Sequence, residues 1–189
     1  MLGGVGSGKT LVGALWALTM AIRFPGLVGL VGAQNPSQLS TVVLKAILPM
    51  LEKANIRFVY GMAPPGSWGE DRFTRHVNVL SLSNGTQVLC RSMTDAGVDR
   101  NIRGLELAWA WCDEARDMSE YAFEVLASRM RGFGDDAPYS IRLTSTPNGR
   151  DWLWRKFAPE SPSRLVGAEL FRARTKDNRH LPQGYEDRI

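Results

Sequence analysis

Residues 3–10 of the chain, GGVGSGKT, match the pattern G-x-x-x-x-G-K-S/T at every constrained position. The pattern prescribes a backbone before it prescribes anything else. Gly4, Gly6 and Gly8 let successive N–H groups turn inward, and the helix that follows adds the positive end of its dipole. Together they form a cradle for phosphate, a loop that normally hangs between a buried strand and a helix. Lys9 in such a cradle neutralises β- and γ-phosphate charge, and the Thr10 hydroxyl ligates Mg²⁺. The candidate nucleotide-binding set is therefore Gly3, Gly4, Val5, Gly6, Ser7, Gly8, Lys9 and Thr10. Only Met1 and Leu2 precede it, so the strand that usually anchors the loop is expected to be missing.

Downstream, apolar runs alternate between two periods. KTLVGALWALTMAIRF predicts a helix with Leu11, Ala14, Leu15, Leu18 and Ile22 on its buried stripe, ended by Pro25-Gly26. LVGLVGA (27–33) reads as a buried parallel strand, and Asn35-Pro36-Ser37 opens a second helix with a kink expected at Pro49. IRFVYG is a candidate strand, MAPPGSWGEDRFT a loop, and HVNVLSL-SNG-TQVLCRSM a hairpin turning at Asn84-Gly85. A polar loop, TDAGVDRNIRG, leads to an apolar strand LELAWAWC. Then come a helix over SEYAFEVLASRMR with Ser119 as its cap, a strand YSIRLTSTPNG, a short helix RDWLWRKF and a last strand RLVGAELFRART. The fold class expected is α/β, a mainly parallel sheet with helices on both faces plus one β-hairpin.

Composition narrows the class without naming a function. With 44% hydrophobic and 22% charged residues in 189, the chain has enough apolar material for one substantial core. A net charge of +4 permits contact with a polyanion but does not demand it. No apolar run approaches a bilayer span, and no signal-peptide layout precedes the loop. Cys90 and Cys112 sit far apart in apolar runs, which reads as two buried thiols in a reducing compartment. His76 and His180 lack partners at metal-ligand spacing and read as surface or structural residues.

Two further stretches carry chemistry. In LAWAWCDEA an apolar strand delivers two acids at its tip: Asp113 to hold Mg²⁺ through water, Glu114 to act as general base towards an attacking water. By itself, Asp-Glu after a strand equally suits a helix N-terminus; beside the phosphate loop it suits a hydrolase. In LTSTPNG the hydroxyls of Thr144, Ser145 and Thr146 stand at a strand end before a sharp turn. In a parallel sheet the three polar turns share the carboxyl edge, where ligands bind.

The set GGVGSGKT, RNIRG, WAWCDEA, TSTPNG and TKDNRHLP, in that order, resembles the ATPase domain of the large terminase subunit of tailed bacteriophages. The resemblance implies a P-loop, RecA-like ATPase fold. It also implies an ATP- and Mg²⁺-dependent motor, working as a homo-oligomeric ring at the procapsid portal in the cytoplasm of the bacterial host. Its partners would be double-stranded DNA, the portal protein and the small terminase subunit, with no membrane. Lys9 and Glu114 are then catalytic, Thr10 and Asp113 hold the metal, and Thr144, Ser145 and Thr146 couple hydrolysis to movement. Arg103 is the best match for an arginine that reaches a neighbouring subunit's ATP, with Arg100 second; a solvated basic loop is the plainer reading of both. Arg129 and Arg131 are expected on a helix. The implied domain runs from residue 1 to 182, incomplete at its N-terminus, and 183–189 begins a linker or tail.

Against the family, the strand before the loop, the upstream adenine-holding segment and the C-terminal nuclease domain are expected to be missing, the last because no acidic cluster for a two-metal nuclease site is found. A fragment is expected, from a truncated chain, a split gene or a misplaced start, with weak ATP binding and slow turnover. Two other readings stay open: a helicase-like P-loop NTPase, and a non-enzymatic remnant of a terminase gene. The basic residues are scattered without aromatic interleaving, so DNA as substrate rests on the resemblance.

Overall fold

The computed structural model describes residues 1–69, 77–182 and 185, without the side chains of 41–43. Expectations for His76 and for the segment from residue 183 onward, Tyr185 apart, lie outside the described residues. The elements run β1 (Leu2–Gly3), α1 (Lys9–Arg23), β2 (Val28–Ala33), α2 (Pro36–Gln38) and α3 (Lys45–Lys53), the last two joined by a π-helical turn over Leu39–Leu44. They continue with β3 (Phe58–Tyr60), β4 (Val79–Leu82), β5 (Gln87–Ser92), α4 (Asp95–Asn101), β6 (Trp109–Cys112) and α5 (Glu120–Ala127), and end with β7 (Ser140–Leu143), α6 (Trp152–Phe157) and β8 (Arg172–Ala173).

Six strands form one sheet in the order β3-β4-β5-β2-β6-β7. β5, β2, β6 and β7 are mutually parallel, while β3 and β4 add an antiparallel edge through the hairpin. β1 pairs parallel with β8, and Leu2 also bridges to Ser145 beyond β7. Two residues therefore do form a strand ahead of the loop, lying between β7 and β8, where the sequence alone suggested none. Beside them a cleft of about 580 Å³ runs along β7, lined among others by Ile141, Leu143, Leu153, Phe157 and Phe171.

Helices cover both faces. α1 and α3 pack on one, with Ala14, Ala17, Ala21, Ile47 and Leu51 against Val31, Leu82, Trp109 and Trp111. α4, α5 and α6 pack on the other, with Val98, Leu126 and Leu153 against Leu30, Leu89, Ala110 and Cys112. Both cysteines are buried free thiols. Burial pushes the Cys90 thiol up to about 12, and burial, then the charge of Asp113, raises that of Cys112.

Several local expectations are corrected. The stripe proposed for α1 faces the wrong way in part: Leu11, Leu15 and Ile22 are 54%, 51% and 50% exposed, while Gly13, Ala14, Ala17 and Ala21 are buried. Gly13 and the three alanines lie on the buried side because two indoles occupy the space beneath the helix; Leu18, as expected, and Met20 are buried as well. TDAGVDRNIRG is not wholly loop, since Thr94 accepts a hydrogen bond from the Gly97 N–H and caps α4. α5 ends at Ala127, so Arg129 and Arg131 follow the helix instead of lying on it. The last predicted strand shrinks to two residues, matched to the two of β1. The irregularity in the second helical segment precedes Pro49 as a π-turn, with Pro49 itself inside α3.

Trp109 and Trp111 share one face of β6, and each sits over a glycine. A Cβ on Gly13 would lie 2.2 Å from Cε2 of Trp111, and one on Gly29 would lie 2.1 Å from the same atom of Trp109. Both indoles are fully buried and cannot retreat. Replacing Gly13 by Ala gains about 1 kcal/mol of helix propensity but overpacks a closed core, which costs about 1–3 kcal/mol and more when nothing gives. Gly13→Ala is expected to lower the melting temperature by several degrees. Gly104→Ala, where an added Cβ meets nothing within 4 Å, is expected to leave it unchanged.

Candidate nucleotide-binding site

β1, β6 and β7 run in the same direction, so the loop after β1, the acids after β6 and the hydroxyls after β7 emerge along one edge. Gly6 and Gly8 take left-handed backbone conformations, φ +75° and +86°, which only glycine adopts without strain. The Ser7 N–H closes the loop onto the Gly4 carbonyl at 3.2 Å, and the Val12 N–H begins α1 on the Gly8 carbonyl at 3.0 Å. Lys9 is buried at the first position of α1, and its Nζ donates to the Gly4 carbonyl at 3.1 Å. A hollow of about 330 Å³ opens here, lined by residues 5–11, Glu114 and Thr146.

The acids meet this loop. The Thr10 hydroxyl donates to one carboxylate oxygen of Asp113 at 2.8 Å. The Thr144 hydroxyl donates to the other at 2.5 Å. Asp113 is only 2% exposed, and a carboxylate that deep requires such donors. Glu114 is half-exposed, in a left-handed backbone conformation at φ +46° that turns the chain sharply after the strand. A non-glycine residue held there marks local strain of the kind that clusters at functional sites. Its carboxylate lies 4.0 Å from Lys9 Nζ on one side and 4.0 Å from the Arg116 guanidinium on the other.

The third stretch is wired in behind. Trp111 Nε1 donates to the Thr144 hydroxyl at 2.9 Å, so an indole N–H orients the hydroxyl that faces Asp113. Ser145 Oγ accepts from the Arg116 N–H at 2.9 Å, and the Ala115 N–H bonds the Thr144 carbonyl at 3.0 Å. The acid turn and the Thr-Ser-Thr turn are thus one hydrogen-bonded unit. Thr146 lines the hollow directly. Trp111 was legible only as a core residue; no spacing in the sequence marks its N–H as part of the site.

The donor set fits a polyphosphate and its metal. Among the described residues, Ser7 Oγ in the loop and Glu114 Oε2 are buried atoms without a hydrogen bond, which buried polar groups avoid unless a partner is to come. The lysine, the glycine loop, and a hydroxyl and a carboxylate 2.8 Å apart are groups of the type that phosphates and hard oxygen-binding cations take.

Arg103 is not part of this cluster. It follows α4, where its Nε donates to Asp99 at 2.7 Å and its guanidinium to the Tyr121 hydroxyl on α5. Hydrogen bonds from Tyr121 first, then from Arg103, hold the Asp99 carboxyl below its usual range. Arg100 lines a separate cleft with Arg91 and Ser92. Arg129 donates to the Arg103 carbonyl.

A family model described as the terminase large subunit, T4likevirus-type, N-terminal, matches residues 1–189. The chain belongs to the terminase large-subunit family. Among solved structures it is similar to the large terminase of a thermophilic bacteriophage in complex with ADP, at a TM-score of 0.74 and 16% identity, over 98% of this chain and 42% of that one. The same terminase in complex with ATP-gamma-S gives 0.72 at 16% identity, over 99% and 42%. The large terminase ATPase domain of Thermus phage P74-26 gives 0.57 at 19%, over 90% and 73%. No curated protein matches. At these identities the structural likeness establishes the fold, and this terminase chain spans 42% of the thermophilic phage protein.

Thr144 lies at the junction of the terminase loop, acids and hydroxyl turn. Thr144→Val removes its hydroxyl at nearly constant shape, stripping Trp111 N–H of its acceptor and Asp113 of a donor. A buried donor left unpaired costs roughly 1–3 kcal/mol. Urea denaturation should show that loss for Thr144→Val and most of the stability retained in Thr144→Ser; equal stability of the valine variant and the parent would show that the hydroxyl is not anchoring the two strands.

Proposed function

We propose that this chain is the ATP-hydrolysing motor domain of a phage large terminase, which drives double-stranded DNA into the procapsid. The observation that carries the reading is the meeting of Thr10 and Thr144 on the two oxygens of the buried Asp113, directly beside the phosphate loop. The thermophilic phage terminase, of the same fold, is solved with ADP and with ATP-gamma-S, which supports nucleotide as the ligand.

In this reading Lys9 and the loop N–H groups other than those of Gly4 and Ser7, which bond the Ala173 and Gly4 carbonyls, hold the β- and γ-phosphates. Thr10 and Asp113 would hold Mg²⁺, which would supply charge neutralisation for the polyphosphate. Glu114 accepts the proton of the attacking water as general base; its 4.0 Å separation from both Lys9 and Arg116 holds the carboxylate between two cations, facing the hollow. The new hydroxide oxygen bonds to the γ-phosphorus as the bridging oxygen to the β-phosphate leaves with its electron pair. Thr144, Ser145 and Thr146 register the loss of the γ-phosphate and pass it, through the Ala115 and Arg116 amides they bond, to the rest of the domain.

Arg103 acts in trans, on the ATP of a neighbouring copy in a homo-oligomeric ring; its place outside its own subunit's cluster suits that role. Portal protein, small terminase subunit and DNA are the partners, and the bacterial host cytoplasm is the site of action. The ATPase domain ends near Pro182, with a linker or tail beyond.

The purified chain should bind Mg²⁺·ADP saturably in a calorimeter and lose that binding with Lys9→Ala. Its ATP turnover should fall by about 10²–10⁴-fold in Glu114→Gln, the range for a lost general base, with ADP binding retained. Binding undiminished by Lys9→Ala, or hydrolysis indifferent to Glu114→Gln, would remove the proposal.

A further inference from the structure

A phosphate cradle works only if its peptide planes are oriented. When the N–H groups face inward the carbonyls face outward, and those carbonyls need partners of their own. In this chain two of them have the same source. The Thr175 hydroxyl donates to the Val5 carbonyl at 2.8 Å, and the Asn178 side-chain amide donates to the Gly6 carbonyl at 2.6 Å. Both donors come from the segment after β8, about 170 residues distant in sequence.

That segment is itself braced. The Asp177 carboxylate accepts from the Arg174 N–H at 2.8 Å and pairs with the Arg174 guanidinium at 3.2 Å. The Asn178 N–H bonds the Thr175 carbonyl at 3.0 Å. The Asn178 side-chain oxygen is taken by the His180 N–H at 3.1 Å, which leaves the NH₂ as the end that faces Gly6. The fit is close: a Cβ on Gly4 would lie 2.5 Å from Thr175 Oγ1, and one on Gly6 would lie 3.0 Å from the Tyr185 ring and 3.3 Å from Leu181. Glycine at these two positions is required by the strap outside the loop as well as by the phosphate inside it.

We propose that Thr175 and Asn178 are positioning residues for phosphate binding: they hold the Val5 and Gly6 carbonyls outward, so that the loop is oriented before a polyphosphate arrives. This rests on the reading of the loop as a nucleotide site. Preorganisation of this kind raises affinity by removing an ordering cost from the binding step. Linkage makes it reciprocal: whatever the docked strap contributes to phosphate affinity, bound phosphate returns to the docking of the strap. Residues 174–182 therefore sense whether the loop is filled.

The test compares the parent chain with Thr175→Val, Asn178→Ala, the double variant and the conservative Thr175→Ser. The readouts are calorimetric Kd values for Mg²⁺·ADP and for Mg²⁺·pyrophosphate, together with hydrogen exchange over residues 174–182. At about 1 kcal/mol net per hydrogen bond, each single loss should weaken both ligands roughly 5-fold and the double variant roughly 10- to 30-fold, with Thr175→Ser close to the parent. KM for ATP should rise while kcat holds. In the parent, Mg²⁺·ADP should slow exchange in 174–182. Unchanged Kd values in a folded double variant overturn the inference alone, leaving the nucleotide site in place. Should the variants fail to fold, the parent decides: exchange in 174–182 indifferent to bound ADP overturns it. A parent that binds neither ligand takes down the nucleotide reading and this inference together.

Discussion

The interaction on which the molecule turns is a buried carboxylate shared by two hydroxyls. Asp113 stands at the tip of β6 with almost no solvent contact, and its two oxygens are held by Thr10 of α1 and Thr144 beyond β7. A desolvated carboxylate is tolerated only where donors are fixed in place. Its presence therefore sets the positions of three segments that are more than 100 and about 30 residues apart in sequence. If α1 moves, Thr10 moves with it; if β7 shifts, so does Thr144. The site is where the packing of helix on sheet becomes a hydrogen-bond pattern.

What holds α1 at that distance is steric. The helix presents its small residues, Gly13, Ala14, Ala17 and Ala21, to a sheet face dominated by Trp109 and Trp111. Indoles fill the depth that leucines on the helix would otherwise have filled. One of them, Trp111, then spends its N–H on Thr144, so the residue that spaces the helix also orients the hydroxyl. Trp109, on the same face, has no hydrogen-bond partner for its N–H among the described residues and serves packing, including an edge-on contact with Trp16.

The glycine pattern was legible by itself because it is local; the Asp-Glu pair and the Thr-Ser-Thr turn were legible as strand-end positions and took on meaning only beside it. The alternation of strands and helices, the Asn84-Gly85 hairpin and the Ser119 cap were legible because they too are local. What escaped was anything decided by a distant neighbour. The buried side of α1 went to alanines because tryptophans far along the chain required it. The capped turn at Thr94 hid in a polar stretch with little apolar periodicity. The last strand shortened because its pairing partner is two residues long. Thr175 and Asn178 stood inside a stretch already noticed, yet nothing in TKDNRHLP shows that its side chains reach the carbonyls of Val5 and Gly6. Arg103 was found as a residue, and Asp99 stands only four positions before it, but its Tyr121 partner comes from tertiary contact.

One measurement reaches the centre of the nucleotide reading: the position of a divalent cation bound with ADP. Mn²⁺ takes the oxygen ligands that suit Mg²⁺, and its anomalous scattering marks its place in a crystal of the chain grown with ADP. A single manganese peak is expected beside the Thr10 hydroxyl and the Asp113 carboxylate, with the diphosphate lying in the loop of residues 4–9. Manganese and diphosphate found together elsewhere, with that loop empty, would contradict it.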